Sequence, residues 1–348
     1  MQRLKAMCVM GTRPEAIKVV PIVLAARDYA PAIEMVSVST AQHRQMLDDV
    51  LATFGVCPAE DLDVMAPGQS LHHVAARVIA GMGEILDRQQ PDVVIVQGDT
   101  TTTVSAAMAA YYAGVAVAHV EAGLRTGDKH APFPEEGNRC MTSCLADLHF
   151  APTEAARDNL LAEGVPESQV FVTGNTVIDA VQGMARKVSD RPCPVRELRG
   201  ALADDQELVL VTGHRRESFG SGLRRICDAL LGLASARPEI AVVYPVHPNP
   251  RVMTAVRELR DRPNIHLVPP QSYPDFVWLM QRSKLIITDS GGIQEEAPAL
   301  GKPVLVTRTV TERPEAVEAG AARLVGYDPR TIVAEAEQLL CDDEHYRR

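Results

Sequence analysis

The feature that most constrains the fold is an alternation of short apolar, β-branched runs with helical patterns along the whole chain. In the first half these runs lie at residues 4–10, 33–39, 92–97, 115–120, 148–151 and 170–173. In the second half they lie at residues 208–212, 240–246, 265–269, 285–288, 304–307 and 323–325. This order is typical of βαβ units in parallel sheets. It predicts an α/β protein with two doubly wound domains.

The pattern lapses once, in a polar stretch at about residues 188–200 that contains Pro192 and Pro194. We interpret this stretch as a linker between an N-terminal domain, residues 1–190, and a C-terminal domain, residues 200–348. Ligands of open α/β sheets bind beyond the carboxyl ends of the strands. With two such domains, the cleft between them is the expected site.

Charge and cysteine content exclude several classes of function. The 45 Asp and Glu outnumber the 35 Lys and Arg, so we expect neither nucleic acid nor an anionic membrane as a partner. The longest stretch without charge, residues 100–120, opens with threonines and is rich in Ala, which predicts a helix and a strand rather than a membrane span. Seven scattered cysteines and no visible secretory signal favour a cytoplasmic protein. Cys140 and Cys144 lack a second ligand pair and indicate packing, not zinc.

The loop after the first predicted strand suggests an anionic ligand. Thr12 can cap the following helix, and Arg13 lies at the helix N-terminus, where the helix dipole disfavours a cation. An anionic partner would explain the position of Arg13. An ion pair between the domains is the alternative.

Three carboxylates follow later strands of the N-terminal domain: Asp99, Glu121 and Glu135. Carboxylates that share a cleft repel one another, which raises pKa values toward the range useful for proton transfer. Two alternatives remain open. Asp99 could be a helix N-cap, and the acids could be solvated residues paired with Arg125 and Arg139.

In the C-terminal domain, polar and glycine residues follow two strands. They are His214 and Arg215 after the first strand, and Ser290, Gly291 and Gly292 after the fourth. Ser290 can cap the next helix, and the two glycines would let a phosphate approach its N–H groups. Glu296, about one turn later, is placed to bind ribose hydroxyls. The sequence thus predicts a nucleotide-diphosphate site, while the lack of a strand-following GxGxxG and of a Walker A motif disfavours NAD and ATP hydrolysis.

A series of motifs follows in order along nearly the whole chain. They are GTRPEAIK (11–18), TAQHRQML (40–47), GDTTTT (98–103), HVEAGLRTGD (119–128), PFPEEGNR (132–139), TGNTVIDA (173–180), TGHRRESFG (212–220), VYPVHPNP (243–250), TDSGGIQEEAPALGKPVL (288–305) and TERPEAVEAG (311–320). Together they resemble the bacterial non-hydrolysing UDP-N-acetylglucosamine 2-epimerases. The resemblance implies two Rossmann-like domains in a GT-B-type arrangement, with the active site in the interdomain cleft. It implies reversible epimerisation at C2 by elimination and re-addition of UDP, through a 2-acetamidoglycal.

The resemblance also implies residue roles. The catalytic residues would be Asp99, Glu121, Glu135, His214 and Lys18. The substrate-binding residues would be Arg13, His214, Ser290, Gly291 and Gly292 at the diphosphate, Glu296 at the ribose, Phe276 at the uracil, and Arg313. A second, activating UDP-N-acetylglucosamine would be bound by Gln42, Gln45, Glu135, Arg215 and His247. We expect no cofactor, no metal and a homodimer.

Two departures from the family pattern accompany this resemblance. Some relatives have an Arg where this chain has Gly68, next to the implied activator site. Relatives also continue past the helix ending near Leu340 with an Asn-Pro-Tyr-Gly-Asp-Gly segment that has no counterpart before Arg348.

Four other functions were compared with this one. A hydrolysing epimerase would release N-acetylmannosamine and UDP, but its relatives carry a GTRAD-like first loop rather than the GTRPE of residues 11–15. A GT-B glycosyltransferase has no use for three carboxylates, and an inactive nucleotide-sugar sensor would have lost at least one of them. An epimerase of a modified UDP-N-acetylglucosamine remains open, because the sequence does not show which hydroxyls are bound.

Overall fold

The computed structural model describes residues 3–203, 205–213, 221–311 and 313–347. The chain forms two compact α/β units, which divide between Ala180 and Val181. This division falls inside a helix, Thr176–Val188, that ends where the polar stretch at 188–200 begins. No helix in the described ranges is long and apolar enough to cross a membrane.

The first unit is built on a parallel sheet. Its strands are β1 (Leu4–Met10), β2 (Ile33–Ser39), β3 (Glu60–Asp61), β4 (Val93–Gln97), β5 (Ala116–Val120), β6 (Leu148–Ala151) and β7 (Val170–Val172). They lie in the order β3-β2-β1-β4-β5-β6-β7. The helices are α1 (Arg13–Asp28), α2 (Arg44–Phe54), α3 (Leu71–Gln89), α4 (Thr101–Tyr112), α5 (Glu135–Leu145), α6 (Glu154–Ala162) and α7 (Thr176–Val188), the last of which continues into the second unit.

The second unit repeats this plan. Its strands are β8 (Leu208–Thr212), β9 (Ala241–Pro245), β10 (Ile265–Val268), β11 (Leu285–Thr288), β12 (Val304–Val306) and β13 (Ala322–Leu324), in the order β10-β9-β8-β11-β12-β13. Its helices are α8 (Ser221–Ala236), α9 (Pro250–Ala255), α10 (Tyr273–Arg282), α11 (Ile293–Ala299), α12 (Pro314–Glu318), α13 (Pro329–Cys341) and α14 (Asp343–Arg347). Short 3₁₀ segments lie at Glu167–Gln169, Arg196–Leu198 and Val256–Asp261. The prediction of two Rossmann-like, doubly wound domains is confirmed.

Each sheet is buried because its central strands are apolar on both faces. In β1, Met7, Val9 and Met10 are almost fully inaccessible, and Val78 and Met82 of α3 belong to the same core. Each fully buried side chain of this size contributes roughly 1.5–3 kcal/mol relative to an exposed one. The second unit has an equivalent core between β8, β9 and the helices α8 and α13.

The strand order places a topological switch point in each sheet. In the first, β1 and β4 are neighbours, while the chain moves to β2 on the other side of β1. In the second, β8 and β11 have the same relation. Loops at the carboxyl ends of such strand pairs border the crevice where open α/β sheets bind ligands. Several of the predicted site residues follow β1, β4, β5 and β11, among them Arg13, Asp99, Glu121 and Ser290, and others follow β2, β9, β10 and β12.

Candidate active site

The loop after β1 brings Arg13 to the start of α1, as predicted. Thr12 is the N-cap, and its hydroxyl accepts the backbone N–H of Glu15 at 3.5 Å. Arg13 is exposed at the N-terminus of the helix, where the backbone N–H groups and the guanidinium together favour an anion.

Glu15 ties this loop to the loop after β4. Its buried carboxylate accepts the Gly11 N–H at 3.0 Å and the hydroxyls of Thr100 and Thr103 at 2.7 and 3.2 Å. Burial raises the pKa of Glu15, although the hydrogen bonds act in the opposite direction. The side chain therefore fixes the two loops that flank the first switch point.

Asp99 lies between β4 and α4, and it is not the helix N-cap. That position belongs to Thr100, whose hydroxyl accepts the Thr103 N–H at 3.1 Å in a reciprocal capping box. The N-cap interpretation of Asp99 is wrong by one residue, because a threonine follows that caps equally well. Gly98 turns the chain with φ of 73°, and the Asp99 side chain is 27% exposed.

The Asp99 carboxylate forms an ion pair with Arg139 of α5, at 2.7 Å from Nη2. The predicted pairing of a site acid with Arg139 is thus present. Arg125 instead pairs with Glu163, at 2.7 Å, and not with one of the three acids. Because a cation lies against Asp99, repulsion from the neighbouring carboxylates is offset.

Glu121 follows β5 and is held by three donors. Its Oε1 lies 2.5 Å from Lys18 Nζ and 3.2 Å from Asn175 Nδ2, and its Oε2 accepts a hydrogen bond from the Gln97 amide. The side chain is only 7% exposed, so the interpretation of Glu121 as a solvated acid is wrong. Its backbone has φ of 63°, a conformation that costs about 1–3 kcal/mol for a residue other than glycine.

Glu135 is the first residue of α5, where the helix dipole favours a carboxylate. Its Oε2 atom is buried, and among the described residues it has no hydrogen-bond partner. The Glu121 carboxylate lies next to the residue that precedes Asp99, because a Cβ on Gly98 would lie 3.6 Å from Glu121 Oε2. The structure therefore gathers the predicted acid set and Lys18 on neighbouring elements of the first unit.

His119 supports the same loop from inside the sheet. It is fully buried on β5, and its Nε2 lies 2.8 Å from the Gly98 carbonyl oxygen, which requires a proton on Nε2. Burial lowers the pKa of His119 to about 4, so the ring is neutral near pH 7.

In the second unit, the loop after β11 differs from its prediction in one respect. Helix α11 begins at Ile293 with Gly292 as N-cap, and no side-chain cap bond forms, so the expected cap by Ser290 is wrong. The two glycines lengthen the loop and move the helix start away from Ser290. The Ser290 N–H donates to Thr288 Oγ1 at 2.9 Å, and Gln294 Nε2 donates to the Ser290 carbonyl at 3.1 Å.

The remaining predicted substrate residues of this unit lie on the following elements. Glu296 is buried on α11. Burial of Tyr273 raises the pKa of its hydroxyl, and the nearby charge of Glu296 raises it further. Phe276 is half-buried on α10. Arg313 precedes α12 and pairs with Glu295 at 3.1 Å. His214 lies outside the described residues.

The predicted activator residues are distributed over both units. Gln42 Oε1 accepts the Thr102 hydroxyl at 2.9 Å, and Gln45 is exposed on α2. His247 is exposed after β9, where its Nδ1 accepts the Asn249 N–H at 3.2 Å. Arg215 lies outside the described residues.

Several contact residues were missed by the sequence reasoning. Gln97 and Asn175 bind Glu121, and Glu136 and Asn138 bind Arg139 and the Asp99 backbone. Gln97, the polar last residue of an apolar strand, was the available signal. Glu136 and Asn138 stand beside predicted site residues but gave no signal of their own.

The cysteines and the potential metal ligands are dispersed over the part of the chain that the structure describes. All seven cysteines are unpaired, and Cys140 and Cys144 both lie on α5. In the part of the chain that the structure describes, no three His, Cys, Asp or Glu side chains are grouped to hold a metal ion.

Comparison with known proteins gives one consistent result. The family model described as UDP-N-acetylglucosamine 2-epimerase matches residues 25–348. The chain is 52% identical to the UDP-N-acetylglucosamine 2-epimerase of Escherichia coli strain K12 and 51% identical to that of Salmonella typhimurium, in each case over 99% of this chain and 92% of the relative. The crystal structure of the Neisseria meningitidis UDP-GlcNAc 2-epimerase bound to UDP-GlcNAc matches with a TM-score of 0.90 and 44% identity, covering 99% of this chain and 93% of that one. The chain belongs to the UDP-N-acetylglucosamine 2-epimerase family.

Proposed function

We propose that this protein interconverts UDP-N-acetylglucosamine and UDP-N-acetylmannosamine by inverting C2. The observation that carries the proposal is the grouping of Asp99, Glu121 and Glu135 at the carboxyl ends of β4 and β5 and the start of α5. Family membership supports the substrate. Relatives named UDP-N-acetylglucosamine 2-epimerase share about half of this chain's residues along nearly its whole length.

The chemistry of the sugar makes elimination the reasonable route. The C2 proton is not acidic, so inversion needs either transient oxidation or departure of the neighbouring leaving group. UDP on C1 is such a leaving group. As the C1–O bond breaks, UDP takes the electron pair, and the growing positive charge at C1 acidifies the C2 proton. A carboxylate of the acid set takes that proton, which leaves a 2-acetamidoglycal with a C1–C2 double bond.

The reverse steps complete the inversion. A second acid returns a proton to the opposite face of C2, and UDP adds again to C1. Arg13 and the loop at Ser290 would stabilise the diphosphate, and each such donor is worth about 10² to 10³ in rate. Glu296 would bind the ribose and Phe276 the uracil, while Arg313 contacts the substrate. Water must be excluded while the glycal is held, or the intermediate would be lost.

Proton NMR of product formation in D₂O tests the reaction. We expect UDP-N-acetylglucosamine to give the manno epimer with deuterium at C2, and occasional release of glycal and UDP. Free N-acetylmannosamine as the main product would instead indicate a hydrolysing enzyme. A panel of UDP-sugars altered at C3 or C6 identifies the preferred substrate, and inversion that depends on added NAD would contradict the elimination.

We further propose that UDP-N-acetylglucosamine activates its own conversion through a second pocket. The Gln42 side chain supports this role because it bonds to Thr102, three residues after Asp99 in the chain. The reverse reaction, started with the manno epimer alone, should lag until the gluco epimer accumulates or is added. Immediate hyperbolic turnover from the pure manno epimer would contradict an activator pocket.

A further inference from the structure

We propose that Arg139 is a positioning residue for Asp99, which holds one carboxylate oxygen so that the other is presented to the sugar. The inference rests on the proposed role of Asp99 in proton transfer. Nothing in the sequence separated Arg139 from an ordinary surface partner of an acid. Its contacts in the structure do.

The guanidinium of Arg139 donates two hydrogen bonds to a single oxygen of Asp99. Nε and Nη2 donate to Oδ2 at 3.0 and 2.7 Å. No residue of the described chain forms a hydrogen bond to Oδ1, so the carboxylate has one occupied and one available oxygen. A proton taken up on Oδ1 neutralises the carboxyl group but leaves both Arg139 hydrogen bonds to Oδ2 in place.

Arg139 is itself fixed by Glu136. Its Nη1 donates to Glu136 Oε2 at 2.7 Å, and Glu136 Oε1 accepts the backbone N–H groups of Thr126 and Gly127, each at 3.0 Å. Burial acts to raise the pKa of Glu136, but these hydrogen bonds and the Arg139 charge lower it below its ordinary value. The side chains of Arg139 and Glu136 are 9% and 3% exposed, so water does not compete strongly for them.

A second contact from the same helix holds the Asp99 backbone. Asn138 Nδ2 donates to the Asp99 carbonyl oxygen at 2.8 Å. Helix α5 therefore holds both the backbone and the carboxylate of Asp99. The first residue of the same helix is Glu135. Two of the three proposed acid and base groups, Asp99 and Glu135, are therefore positioned by the same helix.

The planar guanidinium is what this arrangement needs. It reaches Asp99 through one edge and Glu136 through the remaining nitrogen, which a lysine ammonium cannot reproduce because it has a single nitrogen. A displacement of about 1 Å of a reacting group can cost about 10² in rate. Loss of the guanidinium should therefore slow the chemical step without weakening UDP binding.

The test compares Arg139→Lys with a matched control, Arg125→Lys. Arg125 is equally buried, at 10% against 9% side-chain exposure, and it also pairs with a carboxylate and contacts α5, through Ser143 at 2.9 Å. It does not touch Asp99. We expect Arg139→Lys to lower kcat by about 10² with KM and UDP affinity within about threefold, and Arg125→Lys to keep kcat within about twofold.

A double variant separates positioning from general damage. If Arg139 acts through Asp99, then Arg139→Lys adds little to the loss already caused by Asp99→Asn. Losses that multiply, or an Arg139→Lys enzyme with kcat within twofold of normal, overturn the proposal. If Arg139→Lys does not fold, Glu136→Gln takes its place: it loosens the anchor and should lower kcat about tenfold at unchanged UDP affinity, and normal kcat overturns the proposal.

The proposed function has a separate readout. Normal turnover by Asp99→Asn alone would remove Asp99 from the reaction and with it the role of Arg139. A slow Asp99→Asn enzyme beside a normal Arg139→Lys enzyme would overturn only the positioning.

Discussion

At the scale of single residues, the three carboxylates differ in what holds them. Glu121 is bound by Lys18, Gln97 and Asn175, and Asp99 is bound by Arg139. Sequence reasoning expected acids that repel one another, and the structure instead sets a cation against two of them. Ionised carboxylates with such partners are good hydrogen-bond acceptors in a largely buried site.

Glu121→Gln should lower kcat by about 10² or more, because it removes the negative charge that faces Lys18 and one proposed proton-transfer group. Binding of UDP, measured by calorimetry, should not change. Glu163→Gln is the control, since Glu163 also pairs with a cation but lies 41% exposed at the surface. Near-normal kcat in Glu121→Gln would remove Glu121 from the mechanism.

The buried His119 should make the stability of the fold decrease at acidic pH. Its pKa falls from 6.5 to about 4 on burial, so the unfolded chain binds more protons than the native one between those values. Stability should be full above pH 6.5 and decrease as pH falls toward 4, by about 3 kcal/mol from this residue. Urea unfolding at several pH values measures the slope.

His119→Gln provides the comparison for that slope. Glutamine keeps an N–H near the Gly98 carbonyl and does not titrate, so the pH dependence should become flatter. His149, Arg125 and Glu121 also act on the His119 charge, and they are present in both proteins. Equal slopes in the two proteins would contradict the assignment to His119.

At the scale of elements, the strand pattern was predictable and the loop details were not. Twelve of the strands fall within one residue of the predicted runs, because buried parallel strands are continuous apolar segments. Strand β3 was missed because it consists of two acidic residues, Glu60–Asp61, paired to the edge of β2. The true caps at Thr100 and Gly292 depend on where each helix starts, which neighbouring packing decides.

The turn between β4 and α4 gives a prediction with an internal control. Gly98 and Gly114 both have left-handed backbone, with φ of 73° and 69°. Substitution by alanine should cost each about 1–2 kcal/mol of stability, measured by chemical unfolding. Only Gly98→Ala should also lower kcat, because strain in this turn would displace the adjacent Asp99. The Cβ at Gly98 would make an ordinary contact with Glu121 Oε2 at 3.6 Å, while the Cβ at Gly114 meets nothing within 4 Å. Equal kcat in both variants would contradict it.

Residues that directly follow strands are easier to predict from the sequence than the partners to which they bond. Asp99, Glu121 and Arg13 were singled out because each stands within three residues of the end of an apolar strand. Asn175 was not, because it is 54 residues from Glu121. Arg139 was considered only as one possible partner of the acids, and its pairing with Asp99, 40 residues away, was not singled out. Such pairs are made only when the sheet order brings distant loops together. The tie from Glu15 to Thr100 is of the same kind.

At the scale of the whole molecule, two units carry different proposed tasks, although their sheets share the same order over six strands and the first sheet has a seventh. The proposed proton-transfer residues lie in the first unit, and Ser290, Gly291, Gly292 and Glu296 lie in the second. Both groups follow strands at a switch point, β1 and β4 in one sheet and β8 and β11 in the other. The roles themselves come from the chemistry of the residues, not from the shared fold.

Thermal unfolding with and without UDP should distinguish residues that bind UDP from residues that act only in proton transfer. Ligand present at 100 times its Kd stabilises the native protein by about 2.7 kcal/mol. We expect UDP to raise the Tm of the natural protein and of Glu121→Gln equally. Glu296→Gln should show a smaller rise, because it loses the proposed ribose contact. An unchanged rise in Glu296→Gln would contradict the assignment of the ribose to Glu296.

The repeated sheet has a consequence for how such an enzyme can change. Because each set of loops is anchored in its own core, substitutions in the first unit that change the proposed sugar site need not disturb the proposed nucleotide site in the second. Enzyme engineers can therefore vary the loops after β4 and β5 as a library while the loop after β11 stays constant. If the proposed division of roles holds, selection can change the sugar preference while the nucleotide site is conserved.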